Sequence, residues 1–177
     1  MAELELLPVK TRILTDKDDI VDMIEEYAKD MIGPDDVISV AESVVAITQG
    51  EFTRPEDLRP GWLARTLCRF VPQKGSLSSV YGMQAAMNYE GEWKMAAAMF
   101  IGMLAKCFGK SGVFYQLAGR QAALIDDVTG TMPPFDKCLV FGPKNPVQVA
   151  EAIKERLGCY GAAVAEKESE RLAEQAQ

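Results

Sequence analysis

At 177 residues, 48% of them hydrophobic, the chain is long enough to bury one sizeable core, and its 25% charged residues are an ordinary share that argues against wholesale disorder. A formal net charge of -7, with no basic run interleaved with aromatics, speaks against nucleic acid or an anionic membrane as partner. The chain has no histidine, which excludes imidazole bases, Ser/His and Cys/His catalysis and histidine metal ligands, and leaves the chemistry to carboxylates, Lys, Arg, Ser, Thr, Tyr, Cys and backbone amides.

The opening, MAELELLPVK, carries acids and no long apolar core, which is not a signal-peptide pattern. Residues Leu6 to Leu14 read as extended, with Pro8 barring an early helix. Thr15 and Asp18 make a capping-box-like start to an amphipathic helix with Ile20, Ile24, Tyr27 and Met31 on one face and Gly33 as its stop. Asp35 and Asp36 make a turn, Val37 to Ala41 a short strand, and Glu42 to Gln49 a helix ended by Gly50.

The middle reads as helical. Pro60-Gly61 opens a segment expected to turn Trp62, Leu63, Thr66, Leu67 and Phe70 inward, and Pro72 closes it. Ser76 to Asn88 and Glu92 to Phe108 are two further helices. The second holds the longest apolar stretch, Met95 to Ala105 between Lys94 and Lys106, too short to span a bilayer. Its Met95, Met99 and Met103 have helical spacing, which fits core packing or an apolar subunit contact better than a cofactor box. The Met-, Ala- and Gly-rich segment from Met95 to Gly109 has more apolar face than a small monomer needs.

The last third is expected to return to strands at Gly112 to Leu117, Ala122 to Ile125 and Cys138 to Phe141. Asn145 and Pro146 then start a helix, with Val149, Ile153 and Leu157 inside, Lys154 and Arg156 near its C-terminal dipole and Gly158 as stop. Gly161 to Ala165 is one last strand. Strands and helices alternating at both ends around a helical insert give an α/β, mixed α+β, fold class, with one domain over residues 1–165 and a charged tail, helical or frayed, over 166–177. The four cysteines, Cys68, Cys107, Cys138 and Cys159, form no C-x-x-C pair, so free thiols fit better than a zinc site. The chain reads as soluble and cytoplasmic.

Three stretches invite a site. Gly109-Lys110-Ser111 mimics a P-loop ending, but Leu104 stands where the motif needs glycine and the triplet follows a helix, so it reads as a helix stop. Lys74, Gly75 and Ser76 precede a helix, which suits an anion or, more plainly, a serine cap. Asp126 and Asp127 end an apolar run with Thr129 and Asp136 nearby, a set of oxygens suited to Mg²⁺ or Mn²⁺ or simply to an Asp-Asp turn.

Several stretches together, in order from about Leu7 to Val164, carry a resemblance: LPVKTRIL with KDDIVDMI, DDVISVAESVVAITQGEF, LIDDVTGTMPPFD and GPKNPVQVAEAIKERLG. They resemble the coenzyme F-420-0:L-glutamate ligases, the gamma-glutamyl ligases of deazaflavin coenzyme synthesis. The middle, from FVPQKGSLSSVYGMQAAMN, is similar to a branch of ligase-like proteins. The resemblance implies a homodimer in which GTP and a divalent metal activate a carboxylate for attack by the amine of L-glutamate. Lys10, Thr11 and Arg12 then fall on the family's N-terminal nucleotide loop, Ser43 on its strand–helix element, Thr129 on a nucleotide contact, and Asp126, with Asp127 beside it, on the metal site.

The chain departs from the family pattern at that strand–helix element. Glu42-Ser43 and Ala46-Ile47 stand where the family has two Ser-Lys pairs, and Ala165-Glu166 stand where a second metal carboxylate belongs. The resemblance also stops short of the C-terminal segment that covers the nucleotide. A carboxylate at a helix start is favoured by the dipole by roughly 0.3–1 kcal/mol and repels a phosphate nearby. Two expectations follow: a GTP- and metal-dependent ligase, or a non-catalytic ligase-like domain serving as a ligand-binding or dimeric module.

Overall fold

The computed structural model describes residues 5–71, 76–125 and 133–165. The chain divides into two compact units, one built from both of its ends and one from Phe52–Gly142.

The first unit begins as an extended arm through Ile13, mostly exposed, and turns inward at the buried Leu14. Helix α1 is Ile20–Ala28, followed by a 3-10 turn, Lys29–Met31, so it ends before the expected stop at Gly33, and Met31, expected on the inner face, is exposed. Its cap is Asp19, whose carboxylate accepts from the amides of Val21 and Asp22. Thr15 and Asp18 make a separate turn just before it, with the Thr15 amide donating to Asp18 at 2.8 Å, so the expected box sits one step upstream of the true cap. Strand β1, Val37–Ala41, runs into helix α2, Glu42–Thr48, and Gly50, at φ 72°, ends that element in the left-handed region where glycine is at ease.

The final part of the chain completes this unit. Helix α8, Pro146–Leu157, has Pro146 in its first turn and stops at Gly158, φ 65°. Asn145 holds the cap position in a left-handed conformation but makes no side-chain cap bond, unlike the expected arrangement. Strand β4, Gly161–Ala165, pairs in parallel with β1, Val37 opposite Gly161 and Ala41 opposite Ala165. The core beneath is Leu14, Ile20 and Val45, with Val40, Val149 and Val164 packed against it.

The second unit is mostly helical, as the sequence predicts for its part up to Phe108. Its entry and exit pair as a short antiparallel ladder, β2 (Phe52–Thr53) with β3 (Leu139–Val140). Between them lie α3 (Trp62–Leu67), α4 (Val80–Glu90), α5 (Glu92–Cys107), α6 (Val113–Ala118) and α7 (Arg120–Leu124). Met83, Met87, Met95 and Met99 lie at its centre with Leu77 and Leu139, so Met95 and Met99 are core side chains.

The structure also departs from the sequence-based expectation in the second unit. The stretches expected as strands at Gly112 to Leu117 and Ala122 to Ile125 are the helices α6 and α7. Short apolar runs carry no decisive period, and tertiary contacts choose between strand and helix. Here Gly102 of α5 lets α6 approach so closely that an added Cβ would lie 2.8 Å from the Cβ of Phe114. Of the residues expected inward along α3, Leu63 and Leu67 pack against the core beside the buried Ala64 and Cys68, whereas Trp62 and Phe70 are 75% and 58% exposed and Thr66 faces outward. The helix expected from Ser76 begins later: Ser76–Ser78 form one 3-10 turn, and Ser79 is the cap, accepting from the Gly82 amide at 2.9 Å.

Gly109, φ 79°, closes α5 as a helix stop, with the Lys110 amide returning to the Ala105 carbonyl at 2.9 Å. Cys68, Cys138 and Cys159 are buried free thiols and Cys107 is an exposed one. No helix among the described residues is long and apolar enough to cross a membrane.

Candidate functional site

The arm that carries Lys10, Thr11 and Arg12 is exposed, but two of the three side chains are already engaged. The Thr11 hydroxyl donates to the Arg12 carbonyl at 2.9 Å. The Arg12 guanidinium closes on Asp18 as a two-pronged pair, Nη1 at 2.9 Å and Nη2 at 2.6 Å. A planar fork meeting a carboxylate this way is among the stronger polar interactions a surface offers. Arg12, followed by the Thr15 amide, holds the Asp18 carboxyl well below the usual carboxylate range. Lys10 has no hydrogen-bond or ion-pair partner among the described residues and remains available to an anion.

The strand–helix element β1–α2 forms as the sequence predicts. The cap position is Ala41, which has no polar side chain to offer, and Glu42 is the first helical residue, with its carboxylate in the first turn. Ser43 follows, half-buried. Ala46 and Ile47 are different: both point into the unit, with Ile47 only 6% exposed. Ile47 is therefore a core residue here, whereas Glu42 and Ser43 are half-buried.

Beyond the C-terminal end of α2 lies a polar knot that no local pattern announces. The Gln49 side chain donates to the Lys144 carbonyl at 2.9 Å and accepts from the Lys144 amide at 2.6 Å. The Lys144 ammonium pairs with Glu51, a buried carboxylate. Gln49 and Lys144 are 95 positions apart in sequence, so the only local hint was a charged residue beside the aromatic strand start Phe52.

Asp126, Asp127 and Thr129, with Lys74 and Gly75, lie outside the described residues. Among the described residues no group of three Cys, Asp or Glu side chains is placed to hold a metal ion. An open groove between α1 and α8 is lined by Asp19, Val21, Asp22, Ala152, Glu155 and Arg156. The cation of this groove, Arg156, is spent on Asp22 at 3.1 Å and Glu25 at 2.9 Å, so the groove is a solvated ion-pair surface with nothing convergent in it.

The stretches that carry the resemblance include the β1–α2 element and helix α8 of the first unit. A family model matches residues 8–165, through both units, and defines the class: ligases that form gamma-glutamyl amide bonds. The chain belongs to the F420-0:Gamma-glutamyl ligase family. No curated protein and no solved structure matches the chain.

Proposed function

We propose that this protein is a gamma-glutamyl-ligase-type domain whose nucleotide-facing positions near the N-terminus have been turned to internal use. By itself it binds GTP weakly and ligates poorly, and it serves as a ligand-binding or dimeric ligase-like module. The observation that supports this reading best is the Arg12–Asp18 pair: the guanidinium expected on the nucleotide loop is neutralised by its own chain. Glu42 adds a negative charge where the family offers Ser and Lys. Removing a charge-assisted hydrogen bond to a phosphate costs about 1.5–3 kcal/mol, and each 1.4 kcal/mol is tenfold in affinity.

The second reading is an active ligase that uses GTP with Mg²⁺ or Mn²⁺ to join a carboxylate to the amine of L-glutamate. The family match over residues 8–165 favours it, and Lys10, Thr11, Arg12, Ser43 and Thr129 would hold the nucleotide and Asp126 and Asp127 the metal. Titration calorimetry of the full chain with GTP in the presence of Mn²⁺ separates the two. Absent or millimolar binding is expected. Micromolar binding, accompanied by glutamate-dependent release of phosphate, would overturn the first reading in favour of the second.

A further inference from the structure

The net charge of -7 is unevenly spread along the chain. The unit Phe52–Gly142 carries ten Lys and Arg against seven Asp and Glu, whereas the rest of the chain carries nine against 19. Within the cationic unit no carboxylate occurs between Trp93 and Ile125, where the charged residues are Lys94, Lys106, Lys110 and Arg120. The same stretch leaves Phe100, Ile101, Leu104, Phe108 and Tyr115 exposed. Helices α5 and α6 form a hairpin here, held together where Gly102 meets Phe114. No residue from Phe100 to Leu117 is buried, so the far half of the hairpin stands clear of the core. Its turn reads Lys106-Cys107-Phe108-Gly109-Lys110, with Phe108 84% exposed between two lysines. The backbone closes this turn on itself. The amides of Phe108 and Lys110 donate to the Ala105 carbonyl at 3.1 and 2.9 Å, and that of Gly109 to Lys106 at 3.0 Å. These donors are satisfied within the turn, as entry into a poorly hydrated medium requires.

We propose that the turn of this hairpin docks end-on to an anionic lipid surface. Phe108 enters the headgroup boundary with Leu104 behind it, and Lys106 and Lys110 meet the anionic headgroups. Lys94 is held by Glu90, whereas Lys106 and Lys110 have no ion-pair partner among the described residues. By the 3.6-residue repeat, Lys106 lies round the helix from Phe108 and Leu104 shares its side, about 6 Å further back. The cations therefore ring the tip instead of lining one edge, and both apolar side chains fall within the roughly 5–10 Å that an interfacial group penetrates. Charges more than about 10 Å away are screened at 0.1 M salt, so the lysines act locally although the whole chain is acidic. A protein partner would need a socket shaped to this tip, and a nucleic acid would need cations spaced along a groove. A fluid bilayer accepts a protruding apolar tip ringed by lysines as it stands. The contact is with one leaflet, because no helix among the described residues is long and apolar enough to cross.

Cosedimentation of the full chain with extruded vesicles tests this. Binding is expected to phosphatidylcholine vesicles containing one third phosphatidylserine. It should be about tenfold weaker to phosphatidylcholine alone, since each lysine at an anionic surface is worth about fivefold. Lys106→Glu with Lys110→Glu removes the preference for phosphatidylserine, and Phe108→Ala weakens binding to both vesicle types about tenfold. All three positions are exposed, so the circular dichroism of these variants should match the parent. The chain has two tryptophans, so Phe108→Trp combined with Trp62→Phe and Trp93→Phe supplies a single reporter at the tip. Its emission is expected to shift to the blue on binding and to be quenched by brominated lipid. Absence of binding to either vesicle type would overturn the proposal and leave the tip to a protein partner. Binding unchanged by Phe108→Ala and by the double reversal, or a reporter at position 108 that stays in water, would place the contact elsewhere and overturn it as well.

Discussion

The side chain of Gln121 pairs with both backbone groups of Gly142: its Nε2 donates to the Gly142 carbonyl at 3.1 Å, and the Gly142 amide donates to its Oε1 at 2.8 Å. A side-chain amide here acts as a neighbouring strand would, two residues beyond the end of β3. The pairing needs glycine, since a Cβ at position 142 would lie 2.6 Å from Leu124 Cδ1. Gln49 treats Lys144 in the same way within the other unit.

Because both groups of Gly142 are buried, Gln121→Leu leaves a donor and an acceptor without partners. At about 1–3 kcal/mol for each, a loss of roughly 2–4 kcal/mol is expected, allowing for partial relaxation. Urea unfolding followed by circular dichroism reads this directly. A shift below the experimental error would mean that water reaches Gly142 and that the pairing is incidental.

Glu90 accepts from the Gln121 amide at 3.0 Å and so caps the short helix α7 from the end of α4. The close approach depends on Gly119, which sits at φ 115° and would place a Cβ 2.3 Å from the Glu90 carboxylate. Gly119→Ala should cost about 1–3 kcal/mol from backbone conformation alone, with the collision added. Adding Glu90→Ala should recover the collision but not the backbone cost, so the double variant is expected between the single Gly119→Ala and the parent less the cap.

The Arg12–Asp18 pair gives stability a definite acid dependence. The Asp18 carboxyl is depressed in the folded chain, first by Arg12 and then by the Thr15 amide. As pH falls, the unfolded chain takes up this proton first, so the contribution is complete above the ordinary aspartate pKa of about 4 and is lost as pH drops through the lower folded value. Asp18→Asn should lower the unfolding midpoint at pH 7, and its deficit against the parent should shrink below about pH 4, where the unfolded carboxyl is protonated. Glu25, lowered by Lys29 and then by Arg156, titrates in the same sense in both proteins, which is why the difference between them is the quantity to follow.

At the nucleotide positions the structure divides the family pattern in two. Glu42→Ser with Ser43→Lys should raise GTP affinity about tenfold or more if a charge-assisted hydrogen bond is restored. Ile47→Lys should not join them: it buries an ammonium in the first unit's core, and a loss of several kcal/mol in stability is expected instead. Calorimetry and thermal unfolding of the same variants read the two outcomes. A stable Ile47→Lys protein with improved GTP binding would show that α2 turns this position outward.

For the metal, Asp126→Asn is expected to abolish whatever Mn²⁺ binding the parent shows in the millimolar range or tighter. Electron paramagnetic resonance of free Mn²⁺ measures it, and an unchanged titration would remove Asp126 from the site.

The elements legible in the amino-acid order are those that carry strong local instructions. An acidic cap region opens α1, Pro146 and Gly158 bracket α8, and apolar residues between turns mark β1 and β4, because caps, stops and periodic burial act over a few residues. Family membership was legible too, since it depends on motif order along the chain. That 113–118 and 120–124 are helices was settled only on folding, because runs this short take their conformation from Gly102, Glu90 and the surfaces they meet. Folding likewise turned Met95 and Met99 inward and left Trp93 and Phe100 outside, a choice that helical spacing leaves open when both sides are apolar. It also gave Arg12 to Asp18, and Gln49 and Glu51 to Lys144: hydrogen bonds and ion pairs form between whichever groups the fold brings within about 3 Å, and separation along the chain places no limit on that.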